Sequence, residues 1–474
     1  MALPPRVQPR LEFIPPRFSP WVLRITHLGS PLLRRVRLRS WLPAGIRRVK
    51  CQQVKTLADC YSQFQQGKIR LIVAFRHSEV DDPLCLAALF SRDLPNVARQ
   101  HGIPLKAPLH SYFMYDRGMP LWAGRWLGWY FSRMGGIPVH RGRRLDLKAI
   151  KTLREKLVSG TLPLGIAPEG ATNGHGEIVS PLEPGSAQLA FWCLEDLKKA
   201  GRSEQVVVLP IGLQYHYPDS NWAALNRLLS QLEADVGLPV ESFADPQHTP
   251  AEAYYKRLNC LGQHLLTRME QFYQRFFQRP LTSSNASVSS DPNEPADSPM
   301  LTQRLESLLH EALAVGEQFF KLPSTGSLNS RCRRLEEAGW AYTYREDIGS
   351  IAALPPVERG LANWIAEAAS LHTRHMRLVE SFVAVTGHYV KDKPSFERFA
   401  ETSLILFDLV ERLKGTKVPA RPRLGWRDAT ITIGDPIDVS ERWPLYSQGH
   451  RAAKQAVETL TQDLQKALEG LIIE

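Results

Sequence analysis

The sequence predicts an α/β fold: a mixed, largely parallel sheet flanked by helices, plus a large helical C-terminal region or insertion. Three observations predict it. Short apolar runs alternate with helical patterns between residues 51 and 220. Beyond residue 221 the apolar residues recur mainly at three-four spacing, the mark of amphipathic helices. Apolar residues make up 43% of 474, enough for a sizeable core and too many for a disordered chain.

Each element follows in order. Residues 1–50 form a basic amphipathic N-terminal segment, in which "FSPWVLRITHLGSPLLRRVRLRSWL" mixes Trp, Leu, Ile and Arg at roughly helical spacing. Such a segment either lies in a membrane interface or packs on its own domain with the arginines outward. "IRLIVAF" (69–75), "LPLGIAP" (162–168) and "VVVLPIGLQY" (206–215) read as buried strands. "PLCLAALFSRDL" and "GSAQLAFWCLEDLKKAG" read as helices, the second ending before Gly201 at the C′ position. These place an α/β domain at 51–280. Residues 281–300, rich in Ser, Pro, Asn and Asp, read as a disordered linker. Residues 301–474 read as a mostly helical region with a late strand near 429–433, within "ATITIGDPIDVS".

The net charge is +11 and the pI about 9.4, which favours anionic partners: nucleic acid, acidic lipid or acidic carrier proteins. Residues 1–56 hold twelve Lys/Arg and one acid, Glu12. No two of the six cysteines have CxxC spacing, so no zinc or redox site is expected and the chain fits a reducing compartment. The first ten residues lack an apolar signal core, and no apolar run approaches membrane-spanning length. The chain is therefore expected to be cytoplasmic, without a transmembrane helix. "HTRH" (372–375) sets two histidines at i, i+3 with no third ligand in sight; a solvated helix face is expected and metal is not. Trp122, Trp126 and Trp129 are either core or an interfacial patch.

The chemistry centres on "RHSEVDDP" (76–83). Asp82 before Pro83 reads as a helix N-cap with Pro at N1, which sets His77 on the strand-to-helix loop. From there His77 can return toward Asp82. A carboxylate that accepts from one imidazole N–H fixes the tautomer and makes the other nitrogen a base. Alone, H-x4-D is a weak signal. "GGIPVHRGRR" (135–144) then offers Arg141 at a strand end, where a guanidinium can grip phosphate. "APEGATNGHG" (167–176) is a turn with Glu169, with Gly170 free to take positive φ, and with Thr172 and Asn173 as donors. No G-x-S-x-G elbow is present.

These blocks resemble the glycerolipid acyltransferases of the 1-acylglycerol-3-phosphate acyltransferase type. "HSEVDD", "GIPVHR", "PEGAT" and "VLPIG" stand in the family's order over about residues 50–220. The resemblance implies transfer of a fatty acyl group from an acyl thioester to the hydroxyl of lysophosphatidate or a lysophospholipid. His77 is the implied base, Asp82 its orienter, and Arg141, Glu169, Gly170 and Thr172 seat the acceptor. No cofactor is implied; acyl-CoA or acyl-carrier protein is the co-substrate. The implied partners are an anionic membrane surface, the lysophospholipid and an acyl carrier protein, with no nucleic-acid motif. Where the family's third block continues with Arg and Ser, this chain has Ala171, Thr172 and Asn173, which is closer to the branch that reacylates larger-headed lysophospholipids. Glycerol-3-phosphate is the alternative acceptor. A membrane-associated scaffold or lipid-binding protein without catalysis is the alternative of another class. The late strand resembles the one that closes the family's domain, which would make 221–425 an insertion.

Overall fold

The computed structural model describes residues 6–37, 44–124, 126–140, 146–281, 298–380, 382, 388–416 and 419–473. In chain order, a two-residue strand β1 (Gln8–Pro9) precedes α1 (Pro20–Arg35), β2 (Ile46–Gln52), α2 (Val54–Gln65) and β3 (Ile69–Phe75). Next come α3 (Asp82–Ala88), one π-helical turn (Leu89–Asp93), α4 (Leu94–Gln100), β4 (Tyr112–Asp116), α5 (Met119–Ala123) and α6 (Trp126–Arg133). They lead to β5 (Gly136–Val139), α7 (Leu147–Ser159), β6 (Leu164–Ile166), α8 (Gly185–Lys199) and β7 (Gln205–His216). The helical stretch holds α9 (Trp222–Val236), α10 (Ala251–Phe277), α11 (Ser298–Phe320), α12 (Leu328–Thr343) and β8 (Tyr344–Arg345). It continues through α13 (Pro356–Glu380), α14 (Tyr389–Asp392) and α15 (Phe396–Leu413). The chain closes with β9 (Arg427–Ile433), β10 (Ile437–Asp438), α16 (Trp443–Tyr446) and α17 (His450–Glu469).

The fold is α/β, as the sequence predicts. The main sheet has eight strands in the order β2-β9-β7-β3-β6-β4-β5, with β10 beside β7. From β7 to β5 all neighbours are parallel; β9 runs antiparallel to β7, and β2 parallel to β9. Continuous apolar runs suit strands covered on both faces. Side chains of α2, α3 and α4 fill one face of the sheet, against Leu71, Val73 and Leu209. Those of α7, α8 and α17 fill the other, against Ile72, Ala74 and Val208.

The chain divides into two compact units. One holds the sheet: Phe13–His140, Leu145–Ser220 and Gly425–Glu474. The other holds the residues up to Glu12 and Asn221–Leu424. The boundary thus falls at Ser220 rather than at 280, because α9 and α10 share an interior with α15 and α11. The expected linker at 281–300 lies mostly outside the described residues, and α11 begins at Ser298. The late strand is β9, buried along its whole length, and its residues pair with β2 and β7 in the sheet.

Buried ion pairs tie the helical unit together: Arg257–Glu233 at 2.8 Å, Arg331–Glu317 at 2.7 Å and Arg304–Glu270 at 2.6 Å. The "HTRH" pair does not lie on a solvated face. His375 is buried and its Nδ1 lies 2.7 Å from the Tyr273 hydroxyl, while His372 stacks on Phe319 at 3.8 Å. The reason is spacing: Ala366, Ala369, Met376 and Val379 form the inner stripe of α13, and His375 adjoins it. Burial lowers the His375 pKa to about 4. Among the described residues no group of acids, histidines and cysteines could hold a metal ion, and no helix is long and apolar enough to cross a membrane.

Candidate active site

The site forms where β3 and β6, direct neighbours, end. In parallel sheets this edge, beyond the carboxyl ends of the strands, is where loops carry side chains out of the core. After Phe75 the chain leaves β3 and turns into α3. His77 and Asp82 meet there: Nδ1 of the ring lies 2.9 Å from Oδ2 of the carboxylate. Asp82 is wholly buried, and it accepts from two further donors, the Glu79 N–H at 3.0 Å and the Tyr215 hydroxyl at 2.6 Å. A group taking three donors acts as an acceptor-only carboxylate, so the ring donates from Nδ1 and keeps a lone pair on Nε2.

The helix start differs in detail from the sequence reading. Asp81 is the N-cap, Asp82 the first helical residue and Pro83 the second. Neither acid caps by its side chain, because both are turned to other partners. Asp81, also wholly buried, accepts from the Ala44 N–H at 3.2 Å and pairs with Arg427. The Arg427 guanidinium lies 4.7 Å over the Tyr215 ring. Burial opposes the Arg427 charge, but Asp81 and Glu79 outweigh it and hold the group above its ordinary range. Burial first, then the Asp82 carboxylate, push the Tyr215 phenol well above its ordinary value, so it stays protonated and donates.

The Glu-Gly turn lies alongside. Glu169 is 3% exposed, and both its oxygens are taken by the chain. Oε1 accepts the His77 N–H at 3.0 Å; Oε2 accepts the Ser180 N–H at 2.9 Å and the Asn173 amide at 3.2 Å. Glu169 is therefore a strut between the two loops, and burial pushes its carboxyl up. Gly170 has φ of 74°, as its place in the turn demands, and an added Cβ would run into the Glu183 carboxylate. Thr172 is exposed, whereas Asn173 spends its donors within the loop, on Glu169, the Ile178 carbonyl and Ser180. Arg141 lies outside the described residues.

Sequence reasoning missed three supports. Arg76, next to His77, is 1% exposed and holds the second loop through the carbonyls of His175 at 2.8 Å and Ile178 at 2.5 Å. A charged residue at the end of an apolar strand was its one signal. Tyr215 belongs to the quoted strand "VLPIGLQY", but its facing Asp82 depends on the register of β7 with β3. Arg427 comes from the distant strand β9, and nothing local points to it.

Residues 48–214 match the family model described as Acyltransferase. This segment is an acyltransferase domain. The match spans β2 to β7 of the sheet and stops short of β9, the strand that carries Arg427. No curated protein matches the chain. The loops "HSEVDD" and "PEGAT", both within the matched residues, are joined by the Glu169 strut.

Proposed function

We propose that this acyltransferase moves a fatty acyl group from a thioester of coenzyme A or acyl carrier protein to the hydroxyl of lysophosphatidate or a lysophospholipid. One observation carries the reading: the 2.9 Å contact of His77 Nδ1 with Asp82, which leaves Nε2 of a partly exposed ring as a base. Nε2 takes the hydroxyl proton as the acceptor oxygen attacks the thioester carbonyl. The tetrahedral adduct collapses, the C–S bond breaks, and the imidazolium returns its proton to the departing sulfur. A thiol of pKa about 8.5 leaves readily, so one base suffices and no acyl-enzyme is needed. In this reading Arg141 and Thr172 seat the acceptor, with Glu169 and Gly170 fixing the loop around it.

The setting is an anionic membrane surface. On α1, Trp21, Ile25, Leu28 and Leu32 stand exposed at i, i+4, i+7 and i+11, between 62% and 83% of their surface free. The exposed Arg24 and Arg35 on the same helix add positive charge, and Trp126 and Trp129 stand exposed on α6.

The test is turnover of purified protein with both thioester donors and a panel of lysophosphatidate, lysophospholipids and glycerol-3-phosphate. Transfer should fall at least ~100-fold in His77→Ala with the fold intact. Undiminished turnover in that variant would end the mechanism; exclusive use of glycerol-3-phosphate would end the acceptor assignment.

A further inference from the structure

Between α1 and β2 lies a groove of about 300 Å³. Six cations line it, Arg34 and Arg35 from α1, Arg47, Arg48 and Lys50 from β2, and Arg92 from the π-helical turn, with no acid among the lining residues. Local sequence explains the arrangement. The pairing of β2 with β9 slips between Ile46 and Arg48, so Arg47 is an extra residue in the strand. Past the slip, Val49 turns inward while Arg48 and Lys50 share the outward face.

Arg47 pairs with Asp428 at 3.1 Å and Arg92 with Asp93 at 2.8 Å. Arg48 and Lys50 are exposed and make no ion pair among the described residues. Arg34 donates to the Ser30 carbonyl of its own helix at 3.3 Å. Burial holds Arg34 below its ordinary range; Arg92 and Arg35 add to the effect, and Cys85 and Asp93 oppose it. The like charges of Arg48 and Lys50 repel, and an anion that enters the groove relieves both.

We infer that this groove binds a phosphate-bearing ligand of the bisphosphate or clustered-phosphate class. Guanidinium forks match phosphoryl oxygens in pairs, and several phosphoryl charges balance several cations where one carboxylate would not. The lining residues do not include His77 or Asp82, so the groove is a site apart from the dyad. The inference rests on the acyltransferase reading for its two sources of phosphate. One is the nucleotide end of a coenzyme A thioester. The other is the headgroup layer of the anionic lipid under α1.

The experiment is calorimetric titration of the full chain with adenosine 3′,5′-bisphosphate and, in parallel, sedimentation with phosphatidylglycerol or phosphatidylcholine vesicles. The Arg48→Glu/Lys50→Glu protein is compared with the wild type, and Arg34→Gln serves as a milder second variant. Both changed positions of the double variant are exposed, so folding is not at issue. The bisphosphate should saturate one site, bind roughly tenfold or more weakly to the double variant, and weaken from about 50 to about 500 mM salt. That result names the nucleotide as the source. Loss confined to phosphatidylglycerol vesicles names the headgroup. Equal binding by wild type and both variants, or no binding of either probe, overturns the inference. His77→Ala should bind the probes as the wild type does. Acyl transfer without probe binding would sink the groove alone, and probe binding without transfer would sink the acyltransferase reading alone.

Discussion

The Tyr215 hydroxyl acts on the dyad through Asp82. It donates at 2.6 Å to the oxygen that His77 does not use. A hydrogen bond to a charged group is worth about 1.5–3 kcal/mol, so Tyr215→Phe should lower kcat by roughly 10-fold or more and leave KM unmoved. A parallel change in both constants would instead mark Tyr215 as substrate contact. Arg427 acts one step further out, by neutralising Asp81 beside the dyad. Arg427→Met strands a buried carboxylate and should cost about 3–5 kcal/mol in urea unfolding. The double change Asp81→Asn/Arg427→Met should recover most of that loss, since neither charge then remains; a double variant as unstable as the single would rule out the charge argument. His77 and Asp82 were legible in the sequence because five residues and one turn join them. Tyr215 and Arg427 were not, because strand register joins them to the dyad across 133 and 346 residues.

At the scale of elements, β3 reads directly from its seven residues, and the structure gives Ile69–Phe75. Its signal is local: an apolar run bounded by Gly67 and by a polar loop. The strand β9 also reads locally, but its place between β2 and β7 does not, because nothing in "ATITI" names a partner two hundred residues upstream. Helix α1 shows the opposite balance. Its pattern left membrane contact and self-packing both open, and the structure shows α1 in contact with α3, β2 and α6 while Trp21, Ile25, Leu28 and Leu32 stay uncovered. If that stripe meets lipid, Trp21→Ser/Leu28→Ser should cut binding to phosphatidylglycerol vesicles roughly tenfold or more, since each loses about 1.5–3 kcal/mol of burial. The melting temperature should hardly move, because exposed side chains contribute little to folding. A large fall in melting temperature would show that the stripe packs on protein instead.

The whole molecule is organised by a single register. His216, the last residue of β7, stands opposite Asp428 of the antiparallel strand β9. The chain therefore leaves the sheet and returns to it at adjacent points, where a short hairpin loop would serve as well. Everything between, Asn221–Leu424, is the bulk of the second compact unit. Part of the acid stability follows from that unit. His375 has a folded pKa of about 4 against an ordinary value of 6.5, so between these values the unfolded chain binds the extra proton. Its contribution is complete above about pH 6.5 and is lost as pH falls toward 4, by up to about 3 kcal/mol. His375→Gln should make the pH dependence of urea melts taken between pH 7 and 4.5 shallower, leaving the part due to buried His110. Replacing 221–424 by a short Gly-Ser linker should remove the His375 share of the acid dependence, keep the share of His110, which burial likewise lowers to about 4, and leave the sheet unit with its own cooperative melt. Ending the chain at 424 should do the reverse, because it removes β9 from between β2 and β7 and α17 from the core. A linker protein that fails to fold, beside a truncated one that succeeds, would show that the helical unit rather than β9 holds the sheet together.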